Sequence, residues 1–339
     1  MEVFIKNFST YRTVGKATAI SSALVLDALD RETSTVTVRG TEVNRSHIGS
    51  WLIAPEGVWL ISNVKPEPDR TILTLVSPLE AFDRPLELAA QTQQPTFGKF
   101  VTSAMTAGWI NCSDPAYVMT YLEVSSSDTT AYTPPEVDDS GCFSLPDYCR
   151  LMRKSYRCTL RFFDSGNRLH CAISAAPVKS RQVSFEDGRS QIQSVSYSSS
   201  GVAKITAIQD VDTGEKDANG DPVYRRERSD WYLSESGEVT NTVPARRASG
   251  TWDSVYIQGN GDVRAKVTEA FAKNKANHKL EFWSTLDLDV QTDCSFMVYG
   301  ELLRSYISYK RKSSDDKRFY YKSGELATTA SEKLKGVIK

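Results

Sequence analysis

Residues 51–76, WLIAPEGVWLISNVKPEPDRTILTLV, read as three strands joined by two tight turns. Pro55-Glu56-Gly57 and Pro66-Glu67-Pro68-Asp69 supply the turns, because proline presets φ and lacks a donor while Gly57 reaches positive φ. In the middle strand Val58, Leu60 and Val64 share a face with Ser62, and Trp59 and Ile61 share the other with Asn63 and Lys65. A strand with one wet face alternates apolar and polar residues. This one opens apolar on both sides. The expectation is that Val58, Leu60 and Val64 fill a barrel while Trp59 and Ile61 meet a neighbouring domain or subunit.

Extending the pattern along the chain gives five regions. Residues 1–92 carry short β-branched runs (18–28, 33–39 and the segment above), with turns about every ten residues, as in a small closed barrel. Residues 93–180 form a helix–helix–hairpin α+β domain. Phe97, Phe100, Val101, Ala104 and Met105 recur at helical spacing. A second helix starts after Ser144 or Leu145, with Pro146 in its first turn and Tyr148, Leu151, Met152 and Ser155 as its inner stripe. Cys158, Leu160 and Phe162 then alternate up to a turn at 164–167, and Leu169, Cys171 and Ile173 return. Residues 125–141 form a polar, Pro-rich loop. Residues 181–210 and 284–322 make a second β-barrel, the first part alternating across a Ser-Ser-Ser-Gly turn. In the second part the strands are expected at 286–290, 295–301, 304–310 and 318–322. Residues 211–283 insert a hairpin, marked by Asn219-Gly220, and the clearest helix, with Val263, Val267, Ala270 and Phe271 inward and Asp262 as its cap. Residues 323–339 form a C-terminal tail. The fold class is α+β, mainly β: two small antiparallel β-barrels with an inserted α+β domain and one long helix.

Composition narrows the function. The 339 residues are 40% hydrophobic and 24% charged, ordinary globular material for two or three domains. A net charge of −1 excludes a whole-chain basic footprint for nucleic acid. No apolar run is long enough for a membrane-spanning segment, and no signal peptide is visible, so the expected setting is the cytosol or a particle assembled there. The six cysteines form no C-x-x-C pair and read as buried free thiols.

Candidate chemistry is sparse. Gly98-Lys99 lacks the first glycine and the Ser/Thr of a P-loop. Asp210-Val-Asp212-Thr-Gly214 starts like a calcium loop, but its glycine comes one step early and the closing glutamate is missing, so a solvated turn is expected. His170 and Cys171 are neighbours in a strand and point to opposite faces, so they cannot form a dyad. His47 lies in a loop, and His278 falls at the polar end of the long helix. No catalytic, cofactor-binding or metal-binding residue is assigned, no cofactor is implied, and the chain is read as non-enzymatic. Residues 304–339 hold ten Lys and Arg against four Asp and Glu, with Tyr306, Tyr309, Phe319, Tyr320 and Tyr321 interleaved. That pattern fits a solvated sheet face better than a base-stacking platform.

The order of the whole chain resembles the tail hub proteins of tailed bacteriophages and related contractile injection systems. Four segments carry the resemblance: GSWLIAPEGVWLISNVKPEPDRTILTLVSPLEAF, SLPDYCRLMRKSYRCTLRFFDSGNRLHCAIS, SVSYSSSGVAKITAI and RSYISYKRKSSDDKRFYYKSGELATTASEKLKGVI. It implies a structural baseplate hub or tail tip: a homotrimer whose six barrels adapt a sixfold tail tube to a threefold spike or tip. Its partners would be the distal tail or tail tube ring, the tape-measure protein, the spike or tip protein and, in a contractile tail, baseplate wedge proteins. DNA would meet it only in transit through the channel. The setting implied is the virion, assembled in the host cytoplasm. No lytic module is expected before Lys339. Two alternatives remain: a distal tail or baseplate wedge component, and a cell-wall-active tail enzyme.

Overall fold

The computed structural model describes residues 1–40, 42–87, 94–132, 142–176, 179–198, 202–233, 239–245, 251–272 and 277–324. These fall into two compact units, Met1–Ser194 with Leu280–Gly324, and Val195–Lys279.

The first unit begins with β1 (Glu2–Lys6), β2 (Thr13–Ala28), β3 (Thr33–Arg39), β4 (Trp51–Ala54), β5 (Gly57–Pro66) and β6 (Arg70–Val76). They close a six-stranded antiparallel barrel in the order β1-β4-β5-β6-β3-β2, with β2 returning to β1. Val3, Ile5, Val36, Val38, Leu52, Trp59, Ile61, Leu73 and Leu75 fill it. The faces of β5 are therefore the reverse of the expectation. Trp59 and Ile61 point into the barrel, and the Trp59 indole N–H donates to the Val25 carbonyl at 3.0 Å. Val58 and Leu60 point out, where Trp51 and Ile53 of β4 join them in a second core. The register shifts between Ile61 and Asn63, and this bulge returns Val64 to the barrel side. Alternation alone could not rank two apolar faces.

The second core belongs to the α+β region: β7 (Pro85–Glu87), α1 (Phe97–Met105), β8 (Leu122–Ser126), β9 (Cys142–Ser144), α2 (Leu145–Tyr156), β10 (Cys158–Asp164) and β11 (Leu169–Ala175). The α1 stripe holds, and so does the described part of the α2 stripe; the side chain of Ser155 lies outside the described residues. Phe97, Phe100, Val101, Ala104 and Met105 are buried on α1, and Tyr148, Cys149, Leu151 and Met152 on α2. The second apolar face of β4 and β5 thus meets a neighbouring domain of the same unit. α1 approaches the 126–128 loop closely at Gly98, where a Cβ would lie 2.6 Å from the Asp128 Cβ, while the Gly98 N–H donates to Asp128 at 2.8 Å. β10 and β11 form the expected hairpin, Leu160 opposite Ile173 and Phe162 opposite Cys171, and β8 adds to β11 in parallel. Residues 133–141 of the expected loop lie outside the described residues.

The chain continues through β12 (Ser180–Val183) and β13 (Ser190–Ser198) into the second unit, with β14 (Val202–Lys216), β15 (Pro222–Leu233), β16 (Val239–Thr240), β17 (Thr251–Gln258) and α3 (Val263–Ala272). It returns along β18 (Asn277–Ser284) to β19 (Asp293–Val298), β20 (Glu301–Ser313) and β21 (Phe319–Ser323). β14 runs through position 210 and lies wholly in the four-stranded sheet β16-β15-β14-β17, so it does not pair with β13. α3 covers one face of that sheet through Val267 and Phe271, and its Ala265 N–H bonds to the Asp262 carboxylate, the expected cap. His278 lies in β18 and not on the helix, which ends at Ala272.

Within the first unit the remaining strands follow the order β12-β19-β20-β21-β18-β13, and β20 pairs with β2. At their centre Phe282 stacks on Tyr321 and meets Phe296 edge-on. β12 runs parallel to β19. Residues 286–290 are not a strand. The Tyr321 hydroxyl accepts from the Leu288 N–H at 2.9 Å and donates to the Leu286 carbonyl at 2.8 Å, so a side chain satisfies backbone groups that a ladder would have served. Residues 325–339, nearly all of the expected tail, lie outside the described residues.

Candidate functional surfaces

A cavity of about 1150 Å³ lies in the first unit, lined by residues of β2, β5, the 77–80 turn, α2, β10 and β11, with Val290 and Lys310. Most of its charged groups are paired. Arg153 donates to both Asp27 carboxylate oxygens at 3.0 and 2.9 Å, to the Cys158 carbonyl at 3.1 Å and to the Ala28 carbonyl at 3.2 Å. Burial works against the Arg153 charge, and Asp27 more than restores it, so its pKa is raised. Arg31 and Arg150 share Glu80. Burial, with Arg31 nearby, lowers Arg150 to about 10. Arg157, the C-cap of α2, forks onto Asp293 at 2.9 Å. α2 is thus tied to both β regions of its unit. The cavity is a seam between packed elements, and the arginines that face it are paired.

Among the described residues no group of three His, Cys, Asp or Glu side chains could hold a metal ion. Asp210 and Asp212 sit in and beside a strand ladder, where the first engages Arg226 and the second accepts the Gly214 N–H at 2.9 Å. The solvated turn expected there is a bulged strand end. All six cysteines are free. Burial holds the Cys149 thiol well above its ordinary value and pushes Cys158 and Cys294 up to about 12. Such thiols are packing groups, not nucleophiles. Cys171 is buried and His170 half-buried on the opposite face, as alternation requires.

One arrangement escaped sequence reasoning. His170 Nε2 lies 2.7 Å from the Ser165 hydroxyl, and its Nδ1 lies 3.1 Å from Glu123. The order Ser–His–Glu is that of a hydrolase relay. Its surroundings are not. Glu123 also pairs with Arg168 at 3.0 Å. The Ser165 N–H is spent on the Arg168 carbonyl, and the Asn167 N–H turns back to the Ser165 carbonyl. None of the three residues lines the cavity. The three contacts lie on a hairpin turn whose Ser165 and Asn167 N–H groups are already bonded, and there they pin the turn.

The basic C-terminal strands are similarly occupied. Arg311 lies over Tyr320 at 4.6 Å and Trp283 at 5.7 Å, Lys322 pairs with Glu32 at 2.6 Å, and Arg318 pairs with Asp316 at 2.9 Å. These cations and rings cover one another, and Tyr309, Lys310 and Tyr321 are buried, so the described part of the segment is packed rather than the solvated face expected. Among the described residues no helix is long and apolar enough to cross a membrane.

No protein-family model matches the chain, and no curated protein matches it. Solved structures do. The crystal structure of prophage tail protein gp18 from Listeria monocytogenes EGD-e aligns over 99% of this chain and 99% of its own, at 9% identity and a TM-score of 0.50. The fold is that of a prophage tail protein. A chain of the p2 virion baseplate aligns over 96% of this chain and 100% of its own, at 13% identity and a TM-score of 0.49. A tail protein from Neisseria meningitidis MC58 aligns over 95% and 96%, at 8% identity and a TM-score of 0.46. The tail-protein fold is assigned on the Listeria structure, whose alignment takes in both compact units.

Proposed function

We propose that the protein is a structural tail hub, a homotrimer at the distal end of a phage-type tail tube that adapts sixfold to threefold symmetry around the channel. The repeated strand order carries this reading. Ranked by position in the chain, β1-β4-β5-β6-β3-β2 and β12-β19-β20-β21-β18-β13 are the same permutation. In this reading the two sets are copies of one barrel module. The chain itself joins the second strand of the first module, β2, to the fifth strand of the second, β20. Repeating that contact between molecules would set β13 of one copy beside β5 of the next. Such head-to-tail contacts close into a ring, and three copies would supply six modules. β5 has room for this. β20 pairs with β19 up to Tyr306 and with β2 from Tyr309. β5 pairs with β4 up to Leu60 and then runs on to Pro66, with Ser62, Asn63, Lys65 and Pro66 exposed.

The likeness to the Listeria prophage tail protein supports the setting, a virion tail. The partners in this reading are a tail tube or distal ring, the tape-measure protein, a spike or tip, and wedge proteins in a contractile tail. The paired arginines of the seam and the inert thiols support an architectural, non-enzymatic role. Native mass spectrometry and electron microscopy test it. A species at three times 37.7 kDa, with six lobes around a threefold axis, is expected. A concentration-independent monomer refutes the hub, and a ring of six copies favours a distal tail component.

A further inference from the structure

The sheet of the second unit has one face under α3 and another that is open. The open face carries Lys204, Thr206 and Asp210 on β14, Arg226 and Asp230 on β15, and Trp252 and Tyr256 on β17. Trp252 is 68% exposed and Tyr256 58%. Large aromatic rings so open to water are normally left loose, but these two are held. Trp252 stands in register with Lys204, yet its indole N–H donates to the Thr206 hydroxyl at 3.1 Å. Tyr256 stands in register with Ile208, yet its hydroxyl donates to the Asp210 carboxylate. Each ring therefore leans across β14 toward the position two residues on, in the same direction. The two residues are four apart along one strand, about 13 Å. Two fixed rings in series lie on an open sheet.

A charge pair backs each ring. Asp230 accepts from Lys204 at 2.7 Å and from Thr206 at 2.6 Å. Arg226 forks onto Asp210 at 2.7 and 2.9 Å. With Arg228 and Asp212 on the same face, cations and anions balance. A polyanion would need an excess of cations here. A protein partner would have to strip water from the two ion pairs beside the rings, which costs more than the rings return. A neutral polyhydroxyl ligand meets neither obstacle. Its C–H faces stack on exposed rings, and its hydroxyls both donate to carboxylates and accept from guanidinium and ammonium groups. The Arg226 hydrogen bonds, and then that of Tyr256, hold the Asp210 carboxyl down to about 2, so the face keeps its charges above acidic pH.

We propose that the open face of the four-stranded sheet binds a neutral, linear glycan, with Trp252 and Tyr256 as stacking platforms and the Lys204–Asp230 and Arg226–Asp210 pairs bonding its hydroxyls. This does not rest on the hub reading. The test is isothermal titration of the full chain with cellohexaose, maltohexaose and chitohexaose, and with polygalacturonate as an anionic probe. Saturable binding of at least one neutral hexasaccharide is expected, unchanged between about 0.1 and about 1 M salt. Trp252→Ala should weaken it about tenfold with unchanged circular dichroism, and Asp210→Asn should weaken it as well. The proposal is overturned if no neutral hexasaccharide saturates the protein at about 10 mM. It is also overturned if binding survives Trp252→Ala, or if only polygalacturonate binds. If Trp252→Ala instead changes the oligomeric mass while no sugar binds, the face is a protein interface and the proposal fails.

Discussion

Replacing Asp27 by alanine strands the Arg153 guanidinium. That side chain is 4% exposed, and Asp27, across the seam on β2, is 27% exposed. Two carbonyls, Ala28 and Cys158, still accept from Arg153 and hold it in place, so the cation cannot swing out to water. Removing one partner of a buried pair costs about 3–5 kcal/mol, mostly for the charge left behind. Water reaches Asp27 in part, so the lower end applies, about 3 kcal/mol. Deleting both charges as Asp27→Ala/Arg153→Met removes the stranded cation, and the double variant should recover at least about 1 kcal/mol over Asp27→Ala alone. Urea unfolding read by fluorescence measures the loss. Peptide-resolved hydrogen exchange confines it to the first unit, since a chain of two units need not unfold in one transition. An Asp27→Ala variant within about 0.5 kcal/mol of the parent would refute the reasoning. So would a double variant whose loss equals the sum of the single losses.

Three further outcomes are expected. Trp59→Asp should abolish the folded barrel, at a cost of about 4 kcal/mol or more, because it buries a charge and opens a cavity. A folded but unassembled monomer by circular dichroism and light scattering would restore the outward reading of Trp59. The Arg84 hydrogen bond lowers the Cys112 pKa, so more of that thiol is thiolate at any given pH below its ordinary value. Iodoacetamide at about pH 8 should therefore label Cys112 well before Cys149 or Cys158, and mass mapping that finds the reverse would contradict the burial assigned to α2 and β10. Ser165 should not react with a fluorophosphonate probe; labelling that disappears in Ser165→Ala would make the His170 relay catalytic.

The elements that the sequence predicted well are those whose partner lies close by in the chain. The α1 stripe from Phe97 to Met105 and the hairpin around 164–167 follow from local spacing. β4 and β5 are different. Their apolar pattern showed two buried faces but not which face was which, because the choice depends on the α+β region that packs behind Trp51 and Val58. The 286–290 segment has strand-like composition and lost its ladder to the hydroxyl of Tyr321, more than thirty positions away. The Ser165–His170–Glu123 contact needs the parallel pairing of β8 with β11, which no local pattern announces. The shared permutation of strands is visible only as topology, since the two sets show no residue-level repeat.

The β2–β20 ladder has a consequence for synthesis. β1 to β6 are contiguous in the chain and can close as soon as residue 76 has left the ribosome. The outer half of β2 cannot be paired then, because its partner ends at Ser313. Roughly 285 residues separate Ala28 from Ser313, so at 5–20 residues per second that edge waits roughly 15–60 s. An open edge is a template for strands of other nascent chains. The register shift between Val25 and Asp27 interrupts the ladder within that half of β2. Until β20 arrives, that half of the β2 edge stays open to pairing with other nascent chains.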